Sequence, residues 1–179
     1  MTEDVILRFP AIVSDSEKQT ASYGRAIAER LHEGMLVLLK GDLGAGKTFL
    51  IQAIAAELGV SGVKSPTFNI EVCHKAHDRP FDFVHFDLYR LQTVSPQDDE
   101  ALRIEEQLSE GNLVMIEWAE RLCGVCPDEA LEIKLTPFEI DKRIIEFSSY
   151  GRRASDFLSS IFPELLDIAH ERRIAGRCH

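Results

Sequence analysis

The 179-residue chain has no apolar run approaching the roughly 20 residues that a membrane-spanning helix needs. Its first ten residues contain early acids and no apolar stretch like that of a secretory signal peptide. Internal repeats and low-complexity segments are also missing. These absences exclude a protein built from membrane-spanning helices and a repeat architecture. We expect a cytoplasmic protein with no membrane partner.

Positive charge is scarce as well. The sequence has 20 Lys and Arg residues against 30 Asp and Glu, which gives a formal net charge of −10. Broad electrostatic capture of nucleic acid requires a basic surface, which neutralises phosphates. The composition therefore argues against broad electrostatic capture of nucleic acid, while contact with RNA through a partner protein stays open.

Cysteine is sparse, with Cys73, Cys123, Cys126 and Cys178 as the four examples. Cys123 and Cys126 have C-x-x-C spacing, and Cys178 precedes His179, so a zinc site of three cysteines and one histidine is one alternative. A strong zinc signature would show a second closely spaced pair of ligands. We therefore interpret the cysteines as small apolar side chains.

The chain does contain a complete phosphate-binding loop, reading Gly-Asp-Leu-Gly-Ala-Gly-Lys-Thr over residues 41–48. Its glycines let successive backbone N–H groups converge on phosphate oxygens. Lys47 is expected to reach the β- and γ-phosphates, and the Thr48 hydroxyl to hold Mg²⁺. We expect the nucleotide to be bound by the loop and the residue after it: Asp42, Leu43, Gly44, Ala45, Gly46, Lys47, Thr48 and Phe49.

The flanks of this loop support that reading. Residues 35–39 are an unbroken apolar run, which suits a parallel strand buried on both faces. A helical segment follows Lys47 and ends near Gly59. A strand, a glycine-rich loop and a helix in this order point a helix N-terminus at an anion.

The remaining pattern predicts an α/β protein with a three-layer P-loop NTPase fold. Apolar strands are expected near residues 83–86 and 113–116, and alternating segments over 130–136 and 143–148 predict an antiparallel hairpin at one sheet edge. The sheet is therefore expected to be mainly parallel. We assign residues 1–151 to the P-loop domain and 152–179 to a C-terminal helical tail, which Pro163 is expected to break or restart.

Two of the expected strands end in acids, Asp87 and Glu117. The carboxyl ends of strands converge on the ligand crevice of a parallel α/β sheet. Asp87 is placed to hold Mg²⁺, and Glu117 to orient an attacking water or support the metal. The alternative for each acid is a solvated carboxylate at a strand end.

Three further residues have two interpretations each. Thr67 is either a switch residue that senses the γ-phosphate or Mg²⁺, or a turn hydroxyl. His85, two positions before Asp87 in a strand, either supports the site or is a satisfied buried histidine. Trp118 is expected on the strand face opposite Glu117 if the strand continues, and it either flanks the nucleotide or a partner surface, or packs in the core.

The motifs together resemble the TsaE (formerly YjeE) family of bacterial P-loop ATPases. The matching pieces are the phosphate-binding loop, Lys-Ser-Pro-Thr-Phe at 64–68, His-Phe-Asp-Leu-Tyr-Arg-Leu at 85–91 and Glu-Trp at 117–118. The resemblance covers residues 5–151, approximately. Many relatives carry a second hydroxyl where this chain has Phe49.

The resemblance implies binding of ATP and Mg²⁺, weak ATP hydrolysis and a requirement in threonylcarbamoyladenosine modification of tRNA. It also implies the partners TsaB and TsaD, with TsaD carrying the transfer chemistry and tRNA contacted through the complex. By similarity, Lys47 and Thr48 serve phosphate and metal, Asp87 is the metal acid and Glu117 the catalytic acid. Thr67 is then the switch residue, and Trp118 lies beside the site.

Two other function classes stay open at this point. A small-molecule phosphotransferase would need an acceptor pocket and an arginine-rich lid, and the polar stretch at 74–79 is short for a lid. A non-hydrolysing module would use ATP only to assemble a complex. The presence of both Asp87 and Glu117 argues against that module.

Overall fold

The computed structural model describes residues 6–65, 69–77, 79–124 and 128–175. Within these ranges it contains eight strands in one sheet, four α-helices and one 3₁₀ helix. In chain order they are β1 (Ile6–Arg8), β2 (Ile12–Ser14), α1 (Glu17–Ala28), β3 (Leu36–Lys40), α2 (Lys47–Glu57), β4 (Glu71–His74), β5 (Phe83–Asp87), α3 (Asp99–Ser109), β6 (Leu113–Glu117), the 3₁₀ helix (Ala119–Arg121), β7 (Ala130–Phe138), β8 (Lys142–Tyr150) and α4 (Arg152–Ala175).

The sheet is parallel at its centre and antiparallel on both sides. Its order is β1-β8-β7-β3-β6-β5-β4, with β2 also paired to β8. Strands β7, β3, β6 and β5 run parallel, which confirms the predicted parallel core. The predicted hairpin is β7–β8, but it is not an edge, because β7 pairs with β3 and β8 is covered by β1 and β2. A second antiparallel edge forms where β4 pairs with β5.

The residues of β3 show why the molecule has three layers. Successive side chains of a strand point to opposite faces. Val37 and Leu39 pack into the core that contains residues of α1, α2 and α4. Leu36 and Leu38 pack on the other face with residues of α3. A strand covered by helices on both faces must be apolar throughout, as the sequence of β3 predicted.

Helix α4 runs through Pro163 without a break, so the prediction that proline would interrupt it was wrong. A proline inside a helix costs roughly 3 kcal/mol, because it removes one backbone hydrogen bond and crowds the preceding turn. Buried side chains lie on both sides of it, with Leu158 and Ile161 before the proline and Leu165 after it. We infer that burial of one continuous apolar face outweighs the local cost.

None of the helices in the described part of the chain combines the length and apolarity needed to cross a bilayer.

The N-terminus of α4 is capped by the carboxylate of Glu129, the residue that precedes β7. Glu129 accepts hydrogen bonds from the backbone N–H groups of Arg152 (3.1 Å), Arg153 (3.3 Å) and Ala154 (3.0 Å). These N–H groups have no partner inside the helix, and the helix dipole favours a negative charge at this end. Glu129 therefore ties α4 to the start of β7.

We predict that Glu129→Ala lowers the free energy of unfolding by about 1–2 kcal/mol, because three N–H groups lose their acceptor. Urea unfolding followed by circular dichroism measures this change. Glu146→Ala is the matched control, since it removes only an exposed ion pair with Lys134 (3.0 Å) and should cost less than about 1 kcal/mol. Equal losses in the two variants would contradict the capping role.

Candidate functional site

The sheet brings the phosphate-binding loop and both strand-end acids to one edge. Glu117, the last residue of β6, lies opposite Leu39 of β3 on one side and Asp87 of β5 on the other. Leu39 pairs with Glu117, β3 ends at the next residue, Lys40, and the loop begins directly after it. Because these parallel strands are in register, the two predicted acids lie side by side and next to the loop.

Three glycines of the loop, Gly41, Gly44 and Gly46, have positive φ angles, and two of them also lie close to the β7–β8 hairpin. Gly41 has φ 135° and Gly46 has φ 100°, in the region that side chains rarely adopt. A Cβ added to Gly41 would lie 2.2 Å from the carbonyl oxygen of Leu135, and one added to Gly46 would lie 2.7 Å from Nε of Arg143. Close approach to the β7–β8 hairpin therefore requires glycine at both positions.

A cavity of about 290 Å³ opens over the loop. It is lined by Leu43, Gly44, Ala45, Gly46, Lys47, Thr48, Phe49, Ser65, Asp87, Tyr89, Glu117 and Trp118. Of the residues predicted from sequence, Asp42 takes part through its backbone carbonyl, and Thr67 lies outside the described residues. The structure thus gathers the other predicted residues around one cavity.

Lys47 is buried at the first turn of α2, although it carries an ammonium group. Its Nζ donates to the carbonyl oxygens of Gly41 (2.7 Å) and Asp42 (3.0 Å) and lies 3.8 Å from the ring centroid of Trp118. Burial lowers the pKa of Lys47 from its usual 10.5, while nearby carboxylates, with Glu117 first among them, oppose that shift. The ammonium is therefore held by carbonyl dipoles and a cation–π contact.

Glu117 is 2% exposed and accepts hydrogen bonds from two side chains. The Thr48 hydroxyl lies 2.8 Å from each of its carboxylate oxygens. Nε2 of the buried His85 lies 3.1 Å from Oε1. Since a carboxylate only accepts, Nε2 carries the proton of this contact. His85 thus supports Glu117, which is the first of the two interpretations that the sequence left open.

Asp87 is fixed by groups from the loops around it. Its Oδ1 accepts from the backbone N–H of Tyr89 (3.0 Å), and its Oδ2 accepts a short hydrogen bond from the Ser65 hydroxyl. Leu88, the next residue, donates its N–H to the carbonyl oxygen of Glu117 (3.2 Å). These bonds orient the Asp87 carboxylate, which lines the cavity.

Trp118 turns toward the cavity, because β6 ends at Glu117. Its φ of 58° is left-handed, which is unusual for a bulky residue and is often found at functional sites. The ring contacts Tyr89, with 4.9 Å between ring centroids. The sequence predicted Trp118 on the strand face opposite Glu117 only if β6 continued past Glu117. Because β6 ends at Glu117, that condition is not met.

Sequence reasoning did not single out Ser65, Tyr89 or Arg143 as site residues. Ser65 and Tyr89 lie within the quoted motifs, so proximity to Thr67 and Asp87 was the available signal. Arg143 begins the predicted second hairpin strand, about 100 residues after the loop, and donates from Nε to the carbonyl oxygen of Ala45 (3.1 Å). Only the paired strands of the sheet bring it there.

Comparisons with known proteins agree on a family. The family model described as "Threonylcarbamoyl adenosine biosynthesis protein TsaE" matches residues 14–145. The chain belongs to the TsaE family. A TsaE protein of Rickettsia felis is 34% identical over 90% of this chain and 95% of its own, and one of Haemophilus influenzae is 31% identical over 77% and 88%. The crystal structure of Bacillus subtilis YdiB has a TM-score of 0.69 at 24% identity, covering 92% of this chain and 99% of its own, and supports the fold.

The two described cysteines of this TsaE family member differ from the interpretation of the sequence. Cys73 and Cys123 are exposed thiols rather than packed apolar side chains. Burial of its sulfur nevertheless raises the pKa of Cys73, helped by the nearby Asp82. Cys126, Cys178 and His179, the other members of the zinc alternative, lie outside the described residues. Within the described ranges, no group of three or more His, Cys, Asp and Glu residues could hold a metal.

We predict that Thr48→Val lowers the free energy of unfolding by about 1–3 kcal/mol, because a buried carboxylate loses one of its donors. Valine matches threonine in shape but has no hydroxyl. Thr48→Ser keeps the hydroxyl and should lose less than half as much. Chemical denaturation of the nucleotide-free protein measures both variants, and equal losses would show that the Thr48–Glu117 bond contributes nothing to stability.

Proposed function

We propose that this chain binds ATP with Mg²⁺ and hydrolyses it slowly, as a subunit of the cytoplasmic system that makes threonylcarbamoyladenosine in tRNA. In this proposal it acts with TsaB and TsaD and contacts tRNA through that complex. The gathering of Lys47, Thr48, Asp87 and Glu117 at the loop supports ATP hydrolysis most strongly. Membership of the TsaE family supports the biological role independently.

The loop and α2 are suited to a polyphosphate. Backbone N–H groups at the start of α2 and the positive end of its dipole attract anions. In the structure the ammonium of Lys47 donates to two carbonyl oxygens and lies over the ring of Trp118. A phosphate oxygen is a stronger partner for an ammonium than a neutral carbonyl, because both members of the pair are charged. We therefore assign phosphate binding to Lys47.

The donor set fits Mg²⁺, which prefers oxygen ligands and is usually held by one or two carboxylates together with phosphates. The Thr48 hydroxyl and the carboxylates of Asp87 and Glu117 are the groups that would hold it. When bound, Mg²⁺ supplies charge neutralisation for the phosphates. The hydrogen bonds from the Thr48 hydroxyl to both carboxylate oxygens of Glu117 support the assignment of Glu117 as the group that orients this hydroxyl and an attacking water.

The charge around the cavity supports slow turnover by the chain alone. Among the described residues that line it, Lys47 is the only cationic side chain. In related phosphoryl-transfer enzymes an added arginine raises the rate by about 10³–10⁵-fold. A partner that supplied a cation at the open mouth of this cavity would stimulate hydrolysis.

The test is ATP hydrolysis by the purified chain alone, and then with TsaB, TsaD and tRNA. Slow basal hydrolysis that the partners stimulate is the expected result. A rate of ATP hydrolysis that is the same with and without the partners would contradict the proposal. Equal tRNA modification over many turnovers with ATP and a non-hydrolysable analogue would favour an assembly module, and a phosphorylated small-molecule acceptor would favour a phosphotransferase.

We predict that Lys47→Ala abolishes ATP binding or hydrolysis together with tRNA modification, because the phosphates lose their buried cation. Nucleotide binding can be followed by the fluorescence of Trp118, the only tryptophan, whose ring lies over Lys47. Lys18→Ala, which removes a lysine from the exposed face of α1, is the control. Undiminished tRNA modification by the Lys47 variant would overturn the assigned role.

Glu117→Gln should reduce kcat for ATP hydrolysis by at least about 10²-fold, as expected when a general base is lost. ATP affinity should fall far less than kcat, because the glutamine oxygen can still accept from Thr48, while Thr48 and Asp87 remain to hold Mg²⁺. Single-turnover hydrolysis and fluorescence titration separate the two quantities. If affinity falls as far as kcat, Glu117 is a binding residue and the catalytic assignment is wrong.

A further inference from the structure

Arg143 reaches the back of the phosphate-binding loop from the β7–β8 hairpin. Its Nε donates to the carbonyl oxygen of Ala45 (3.1 Å), and its Nη1 donates to the carbonyl oxygen of Asp141 (3.2 Å). The backbone of Arg143 lies between two paired strands, opposite Ser14 in β2 and Pro137 in β7. The guanidinium therefore contacts the loop from a strand that is paired on both sides.

The bond to Ala45 fixes the orientation of one peptide unit. In a trans peptide the C=O and the following N–H point in opposite directions, because the unit is planar. The C=O of Ala45 points at Arg143, so the N–H of Gly46 points away from the hairpin. Ala45 and Gly46 both line the cavity, and Arg143 is not among its described lining residues.

The contact with Gly46 shows how close the fit is. A Cβ at this position would lie 2.7 Å from Nε and 3.3 Å from Cδ of Arg143. The absent side chain of Gly46 is thus what admits the arginine. Gly46 thus allows the close approach of Arg143 on the hairpin side of the loop, in addition to the backbone conformation that phosphate binding needs.

We propose that Arg143 is a positioning residue of the nucleotide site, which directs the Gly46 N–H toward bound phosphate by holding the Ala45 carbonyl. This inference rests on the proposed function, since it assumes that the loop binds ATP. Arg143 does not line the cavity among the described residues, so it acts through the loop and not on the nucleotide itself.

Two substitutions isolate the Nε donor. Arg143→Gln places its amide nitrogen where Nε lies and keeps a donor without the charge. Arg143→Met has nearly the same shape up to that atom and no donor. Lys142→Met is the control for lost charge, because it removes the neighbouring cation, whose ion pair is with Glu139 (2.6 Å) on the exposed hairpin.

The measurements are the ATP dissociation constant from Trp118 fluorescence, kcat for hydrolysis, and hydrogen exchange of residues 41–48 in the nucleotide-free protein. For Arg143→Met we expect about tenfold weaker ATP binding, the scale of one hydrogen bond from a charged donor, with kcat changed less than about threefold. Loop exchange should be faster in that variant alone. Arg143→Gln and Lys142→Met should stay within about threefold of the unsubstituted protein in affinity.

Unchanged affinity and loop exchange in Arg143→Met would overturn the inference, as would equal losses in the Met and Gln variants. If Arg143→Met does not fold, Arg143→Lys replaces it, since lysine keeps the charge without the Nε donor. Near-normal ATP affinity of the Arg143→Gln variant supports the inference. A tenfold loss of affinity in Arg143→Gln, with no loss in Arg143→Lys, overturns it. An unsubstituted protein that binds no ATP would refute the proposed function instead, and loop exchange would still test the Arg143 bond.

Discussion

The site depends on the register of three parallel strands. Because β3, β6 and β5 pair in order, Leu39, Glu117 and Asp87 lie next to one another across the sheet. A shift of one residue in β6 would turn Glu117 to the opposite face and leave Thr48 without its acceptor. The apolar side chains of these strands, which fill the cores on both faces, therefore determine the positions of the acids as well as the stability of the sheet.

Glu117 shows how this register is used chemically. A nearly buried carboxylate is costly unless other groups donate hydrogen bonds to it, and here Thr48 and His85 do so. One donor comes from the helix that follows the phosphate-binding loop and the other from the neighbouring strand. The carboxylate thus links the loop to the sheet, so that a change in the contacts of Thr48 must also alter the environment of Glu117.

The parts that could be predicted are those that local sequence determines. The apolar run of β3 and the spacing of the loop glycines indicated a buried strand and a phosphate site without knowledge of the rest. Three features could not be found in this way. Continuity of α4 through Pro163 depends on burial against distant elements, the inward turn of Trp118 depends on where β6 ends, and the position of Arg143 depends on the pairing of β8.

The antiparallel side of the sheet is therefore more than a cover for the parallel core. Leu135 of β7 leaves no room for a side chain at Gly41, and Arg143 of β8 leaves none at Gly46. Both glycines belong to the phosphate-binding loop, and their positive φ angles are ones that glycine adopts readily and other residues rarely adopt. The family match ends at residue 145, so it includes this part of the hairpin and excludes α4. A displacement of the hairpin would thus reach the phosphate-binding loop through the contacts at Gly41 and Gly46, without any movement of β5 or β6.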